Sequence, residues 1–387
     1  MWIFRSGLLL LVFTGISIYT GARLHVLFKF LFPSLKSLIY WVLFILFCYA
    51  FILAVFVRFE WLRPFRDLAM NSLPALFYLF LAILAFDLTY IVLRFIWKIS
   101  LPAWFSAAGA GIALFLMILF MIYGTFHARN INRLDYSITL NKGSGNGTSI
   151  KAAMVSDLHI GTTVDRKWVG KIVNAINETN PDIIFVAGDI FDNDLSLVKD
   201  PEGVIEELSR LKAKAPLGVY ACQGNHDVDR ISFRGEGSTE RIKEFLNKAG
   251  INFLLDEVVE HESGFYIAGR RDARPIGRQQ ERKPIEVLLE GLDRTKPVIL
   301  LDHQPVDYPK EDEARVDLIL SGHTHKGQFF PANIFTKMIF KKAGAVHYGY
   351  FKGQYAQGVV SSGVGVWGPP IRVATNSEVV VINILFM

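Results

Sequence analysis

Five short clusters of histidine and carboxylate punctuate the later part of the sequence: Asp157-Leu158-His159, Gly188-Asp189 with Asp192, Gly224-Asn225-His226-Asp227, Asp302-His303 and Gly322-His323-Thr324-His325. They hold five of the nine histidines in the chain. Each follows an apolar run that reads as a strand. A lone histidine, or one Gly-Asp pair, needs no explanation beyond a turn or a surface. Five strand ends that all deliver His, Asp or Asn are another matter, because buried charged groups are costly unless paired or bound to metal. Mixed nitrogen and oxygen donors without thiolate suit manganese, iron or zinc, and do not select among them.

The elements that must hold these residues are legible around them. Ile183 to Ala187 is a run of five apolar residues after the breaker pair Asn180-Pro181, which suits a central parallel strand buried on both faces. Gly188 then allows a sharp turn, and Asp189 and Asp192 stand at the carboxyl end, where ligands gather in open α/β sheets. Strands at Ile150 to Ser156 and Leu217 to Cys222 alternate with helices near Asp165 to Glu178 and Pro201 to Lys214. Further strands at Phe265 to Ala268, Val298 to Leu301, Leu318 to Leu320, Gln357 to Ser361 and Val379 to Ile384 complete two packed sheets, an α/β class. The two cysteines, Cys48 and Cys222, imply no disulfide framework, and Cys222 reads as a small core residue.

In order, the clusters read D-L-H, G-D-x-x-D, G-N-H-D, a lone H, and G-H-T-H, and with them the chain resembles the calcineurin-like metallophosphoesterases. The resemblance covers residues 150 to 386, including Ser362-Gly363-Val364-Gly365 and Pro370-Ile371-Arg372. It is nearest to the membrane-associated branch of that family. It implies a four-layer α/β sandwich and two divalent metal ions. Carried over by motif, Asp157, His159, Asp189 and His325 hold one ion, and Asp189, Asn225, His303 and His323 the other, with Asp189 shared. His226 is then the group that protonates the leaving group or steadies the phosphate charge, and Asp192 orients it. Asp227 departs from the glutamate that many members carry, at a position outside the metal ligands. Some members of the branch resemble UDP-2,3-diacylglucosamine hydrolases, which makes a lipid-linked pyrophosphate a candidate substrate.

The first third of the chain has a different character. Residues 1–123 carry nine basic and three acidic residues, whereas residues 124–387 carry 32 and 33. The positive balance therefore lies among apolar runs, which points to a membrane and away from nucleic acid, whose binders need a basic footprint on the folded domain. Ser37 to Val57 and Leu101 to Tyr123 are uncharged and reach the roughly 20 residues needed to cross a bilayer as a helix. Leu73 to Leu93, with Asp87, and Trp2 to Thr20, with Arg5, bring the expected total to four spans. Asp87 inside a span is a functional candidate, paired with Thr89 or an arginine from a neighbouring loop, but it is expected rather to be a helix-packing or interfacial carboxylate. Four spans place both ends on one side, and six basic residues against five lean slightly to a cytoplasmic C-terminal domain. The expected organisation is a transmembrane region over 1–123, a linker leading into the domain over 124–149, and the catalytic domain over 150–387.

Two other stretches invite a function. Arg270, Arg271 and Arg274, followed by Arg278, Arg282 and Lys283, form a basic loop suited to a substrate phosphate or an anionic lipid. Phe329 to Lys342 mixes apolar residues with lysines directly after the last histidine cluster, as an interfacial segment does. Together these features predict a multi-pass membrane protein that hydrolyses a phosphoester or pyrophosphate bond. Two other classes compete: a catalytically silent membrane sensor or scaffold on the same fold, disfavoured because the ligand set is complete, and a small transporter built on the spans and Asp87.

Overall fold

The computed structural model describes residues 2–56, 63–102, 104–142, 147–192, 195–227, 238–273 and 282–387. The chain divides into two compact units, Met1–Thr125 and Phe126–Met387.

The first unit is helical: α1 (Trp2–Leu31), α2 (Ser37–Phe56), α3 (Arg63–Met70), α4 (Ser72–Ile91) and α5 (Phe105–His127). Among the described residues three helices are long and apolar enough to cross a membrane, Gly7–Leu31, Leu68–Ile96 and Phe105–His127. Three such helices, and not the expected four, are found among the described residues; the apolar part of α2 counted there is Ser37–Ile52. The first span also shifts. Nothing between Thr20 and Leu31 breaks a helix except the single Gly21, and the chain turns only near Pro33, so α1 carries Arg23 into the apolar region. There Arg23 pairs with Asp87, which also accepts a hydrogen bond from the Tyr19 hydroxyl at 2.6 Å. The partner is thus an arginine on α1, not a loop residue, and the Thr89 hydroxyl donates instead to the Ala85 carbonyl at 2.9 Å. Pairing offsets the cost of both charges among apolar helices, the packing role expected of Asp87.

The second unit runs β1 (Ile131–Leu140), β2 (Ser149–Val155), α6 (Arg166–Asn177), β3 (Ile183–Ala187), α7 (Pro201–Lys212), β4 (Val219–Cys222), α8 (Ser238–Lys248), β5 (Asn252–Leu254), β6 (Glu257–His261), β7 (Phe265–Gly269), α9 (Ile285–Leu288), β8 (Val298–Leu301), α10 (Tyr308–Glu313), β9 (Leu318–Ser321), α11 (Ala332–Lys342), β10 (Gly349–Lys352), β11 (Gln357–Val360) and β12 (Ser377–Phe386). Two six-stranded sheets result, in the orders β1-β12-β2-β3-β4-β5 and β10-β11-β9-β8-β7-β6.

Strand periodicity explains the layering. On β3, Ile184 and Val186 point into a core shared with Trp168, Val169, Ile172 and Leu208 of α6 and α7. The alternate residues Ile183, Phe185 and Ala187 point into the core between the sheets, where they meet Ile267, Ile299, Leu301 and Leu320. On the far face of the second sheet, Leu300 and Ile319 pack against Ile285 and Leu288 of α9. Helix, sheet, sheet, helix is the four-layer arrangement that the clusters imply.

The stretch expected as a linker, 124–149, contains β1. It pairs in parallel with β12 from Ile131↔Ser377 to Leu140↔Phe386. The strand was hard to read because it is an edge strand with one half-exposed face, so Arg133, Asp135 and Ser137 interrupt its apolar residues. Residues 143–146 of the expected loop lie outside the described residues. Strands β2, β3 and β4 are parallel neighbours, as are β7, β8 and β9, so their carboxyl ends lie side by side in each sheet.

Candidate metal centre

The five clusters occupy the turns after β2, β3, β4, β8 and β9. Their backbone is unusual: Asp157 (φ 55°), His159 (50°), Asp189 (52°), His323 (70°) and His325 (47°) all adopt the left-handed region. Side chains other than glycine rarely sit there, although Asp and His tolerate it better than most. Such conformations persist only where the surroundings over-determine them, and they gather at functional sites.

The surroundings are easily named. Asp157 accepts from the backbone N–H of His323 at 3.0 Å and from the Ser156 hydroxyl. Asp227 is fully buried and accepts from Ile190 N, Phe191 N and Gly224 N, each at 2.9 Å, so one carboxylate ties the turn after β3 to the turn after β4. Burial, with Asp189 nearby, pushes its pKa up to about 7. Glycines supply the clearance. A Cβ on Gly224 would lie 2.1 Å from the Asp189 nitrogen, and one on Gly188 would lie 2.7 Å from His303 Nδ1.

Two donor groups form within this frame, Asp157/His159/His325 and Asp189/His303/His323. His159 Nε2 and His325 Nε2 face each other at 3.0 Å, and His325 Nε2 stands 3.4 Å from Asp157 Oδ1. Asp189 Oδ2 lies 3.0 Å from His303 Nε2 and 3.7 Å from His159 Nε2, between the two groups. Its other oxygen accepts from His226 N at 2.7 Å. His303 Nδ1 lies 2.8 Å from the Ala187 carbonyl, which can only accept. That contact fixes a proton on Nδ1 and aims Nε2 into the site. Asn225 is buried on the turn after β4, one residue before His226.

The donor set fits divalent cations. Burial pushes the His159 imidazole down to about 4 and holds His325 well below its usual value, so both present lone pairs at neutral pH. Their Nδ1 atoms are buried without a hydrogen-bond partner among the described residues. Burial would lower His303 as well, but the Asp189 carboxylate holds it well above its usual value. Burial would raise Asp189, yet His303 and His159 hold it far below the carboxylate range. Buried carboxylates and imidazoles at this density call for a counter-charge.

His226 sits at the edge of the first group. Its ring meets His159 edge-on at 4.9 Å, and its Nδ1 stands 3.6 Å from Asp192 Oδ1. His159, Asp192 and His226 also form a third close grouping that overlaps the first.

The basic loop does not present its arginines as expected. Arg270 is buried, with NH1 3.0 Å from Glu311 and 3.3 Å from Asp302, and Arg282 joins the same carboxylates. Its guanidinium is committed to internal ion pairs behind His303, not to a substrate phosphate. Arg271 turns to Asp256, its backbone N–H donating to Oδ1 at 3.0 Å. Arg274 and Arg278 lie outside the described residues. Removing one partner from a buried ionic cluster strands the others, so Arg270→Ala is expected to destabilise the phosphoesterase unit by about 3–5 kcal/mol. Burial raises the Glu311 carboxyl well above its usual value, so Glu311→Gln, which keeps the size and hydrogen-bonding groups of the side chain, should cost less than Arg270→Ala. Denaturant midpoints of the two variants check the contrast; equal losses would contradict it.

One residue that shapes the site had no signal in the sequence beyond the resemblance. Arg372 is completely buried and donates to the carbonyls of Ser362, Gly363, Gly365 and Asn376. It clamps the 362–365 loop over Asp157, where Gly365 N donates to the Asp157 carbonyl at 3.0 Å.

The chain is similar to several known proteins. An uncharacterized metallophosphoesterase of Campylobacter jejuni is 28% identical over 98% of this chain and 97% of its own length. One from Aquifex aeolicus is 31% identical over 70% of this chain and 98% of its own. A zebrafish transmembrane protein with metallophosphoesterase domain is 29% identical over 69% of this chain; the match spans 61% of that protein's length. The profile described as calcineurin-like phosphoesterase matches residues 150–327, from the start of β2 through the last histidine cluster. With its motif turns, two-sheet core and near-complete coverage of the Aquifex relative all in agreement, the chain belongs to the calcineurin-like phosphoesterase family.

Proposed function

We propose that the protein is a membrane-anchored hydrolase of phosphoester or pyrophosphate bonds, acting on a lipid-linked substrate. A lipid-linked nucleotide such as UDP-2,3-diacylglucosamine is one candidate. The observation that carries the hydrolytic reading is the pair of buried donor groups meeting at Asp189. Asp157, His159, Asp189 and His325 would hold one divalent ion and Asp189, Asn225, His303 and His323 the second. Manganese, iron and zinc all suit these donors. Two such ions, when bound, offset the charge on phosphoryl oxygens and acidify water at neutral pH. The chain's own residues do the rest. Asp189 joins the groups, Ala187 orients His303, and Asp227 keeps the two ligand turns in register. His226, at the rim and steadied by Asp192, delivers the proton that the departing oxygen needs.

Membrane anchoring rests on the three apolar helices. With three spans, Lys36, Arg63, Arg66, Arg129 and Arg133 would fall on the side of the phosphoesterase unit, against Arg5 and Lys98 on the other. That excess favours a cytoplasmic phosphoesterase unit. It replaces the near-even balance that four spans would give.

The lipid-linked substrate is supported by α11. Ile334, Phe335, Met338 and Ile339 share one exposed face, flanked by Lys337, Lys341 and Lys342. On its inner side the Phe340 ring lies 6.4 Å from His323. Such a face enters the acyl boundary of a bilayer while its lysines meet anionic headgroups, each worth about 1 kcal/mol. Phe335→Ser with Ile339→Ser, both clear of the histidines, is expected to lower hydrolysis of a lipid-linked pyrophosphate in anionic vesicles by roughly tenfold or more. A small soluble phosphodiester should be cleaved within about a factor of two of the original rate. A matched drop on both substrates would make α11 a fold-supporting helix, and an unchanged lipid rate would remove its role in presenting substrate.

A further inference from the structure

The residue beside the proposed proton donor is an exposed tryptophan held rigidly. Trp367 is 53% exposed, although its neighbours Val364 and Val366 are buried. Its ring lies 6.1 Å from that of His226 at an interplanar angle of 66°. Both of its backbone groups are pinned by one side chain: Trp367 N donates to Gln328 Oε1 at 2.8 Å, and Gln328 Nε2 donates to the Trp367 carbonyl at 3.0 Å and to that of Pro369 at 3.0 Å. Gln328 is itself buried. Upstream, the Arg372 clamp fixes the same loop. The exposure of this indole is therefore built into the fold and is not fraying.

A rigid, flat, apolar surface on the His226 side of the site can recognise the part of a substrate that leaves with the proton. Resting on the hydrolase reading above, we infer that Trp367 is a substrate-recognition residue whose indole face stacks on a planar aromatic ring in the leaving group, a nucleobase or an aryl ring. The remaining part of the substrate lies toward the second donor group, where Phe340 borders His323. Stacking of this kind tolerates any flat π-face and typically carries a factor of about 10 to 100 in affinity on removal.

The test uses the full chain in detergent, supplied with manganese, and three methylphosphoryl diesters that differ only in leaving group: a nucleoside 5′-alcohol, a phenol and a simple alkyl alcohol. Trp367→Ala is expected to lower kcat/KM about 10- to 100-fold for the nucleoside and phenol diesters and less than about threefold for the alkyl diester, at wild-type metal content. Trp367→Phe should recover most of the loss. Nucleoside 5′-monophosphate should quench a part of the tryptophan fluorescence that is missing in Trp367→Phe, a readout that needs no turnover. Equal factors on all three diesters, or no change, would overturn the inference, as would weakened vesicle binding with unaltered substrate preference, which would make Trp367 a bilayer contact. If the wild type cleaves neither the diesters nor a lipid-linked pyrophosphate, the hydrolase reading fails, and quenching decides Trp367 by itself.

Discussion

Asp189→Asn is expected to lower hydrolysis by at least about 10³-fold and to deplete bound metal at both groups. Metal ions contribute several kcal/mol of charge stabilisation to such reactions, and each 1.4 kcal/mol is tenfold in rate. Asp189 Oδ2 lies within 3.7 Å of imidazoles from both groups, so loss of its charge weakens both. Asparagine can still accept the His226 N–H that Asp189 Oδ1 accepts at 2.7 Å, so the turn after β4 should keep its shape. Metal analysis beside rate measurements separates the causes. A variant with full metal content and normal turnover would remove Asp189 from its shared position.

His226→Gln should act on the reaction and leave the metals in place. The contact to Asp189 is made by the His226 backbone, which the substitution preserves, whereas the imidazole stands outward beside Asp192. General acid catalysis is typically worth about 10²–10⁴-fold, and the need for it grows as the leaving group becomes more basic. Alkyl leaving groups should therefore lose the most and a nitrophenol the least. Equal losses on both would leave His226 only the role of steadying phosphate charge, and loss of metal would make it a ligand of the overlapping His159/Asp192/His226 grouping.

The part of this site that was legible in the sequence is the part written locally. An apolar run ended by Gly, Asp or His marks a buried strand and its catalytic turn without any knowledge of the partners, and β2, β3, β4, β8 and β9 all read this way, while β12 was legible from its apolar run alone. Long-range pairing is what the sequence concealed. The arginines of 270–283 looked like an anion site because the carboxylates that neutralise Arg270 and Arg282, Asp302 and Glu311, lie 20 or more residues away. The left-handed backbone at Asp157 and Asp189 leaves no mark in residue types, since glycine precedes only some of these turns. Strand β1 escaped because Arg133, Asp135 and Ser137 interrupt its apolar residues, although Ile138 and Leu140 are buried in the core between the sheets. In the helical unit, hydropathy fixed the apolar stretches but not their register, so Arg23 seemed to lie in a loop until α1 carried it onto Asp87.

The central claim is that two divalent ions occupy the donor groups that meet at Asp189 and are required for hydrolysis. Its most direct test is to purify the full chain in detergent, count bound metal, strip it with a chelator, and follow cleavage of an activated phosphodiester as manganese, iron or zinc is restored. Two metal equivalents per chain are predicted, with activity lost on stripping and regained on addition of at least one of these ions. A chain that binds no metal, or that hydrolyses equally well after stripping, would contradict the account.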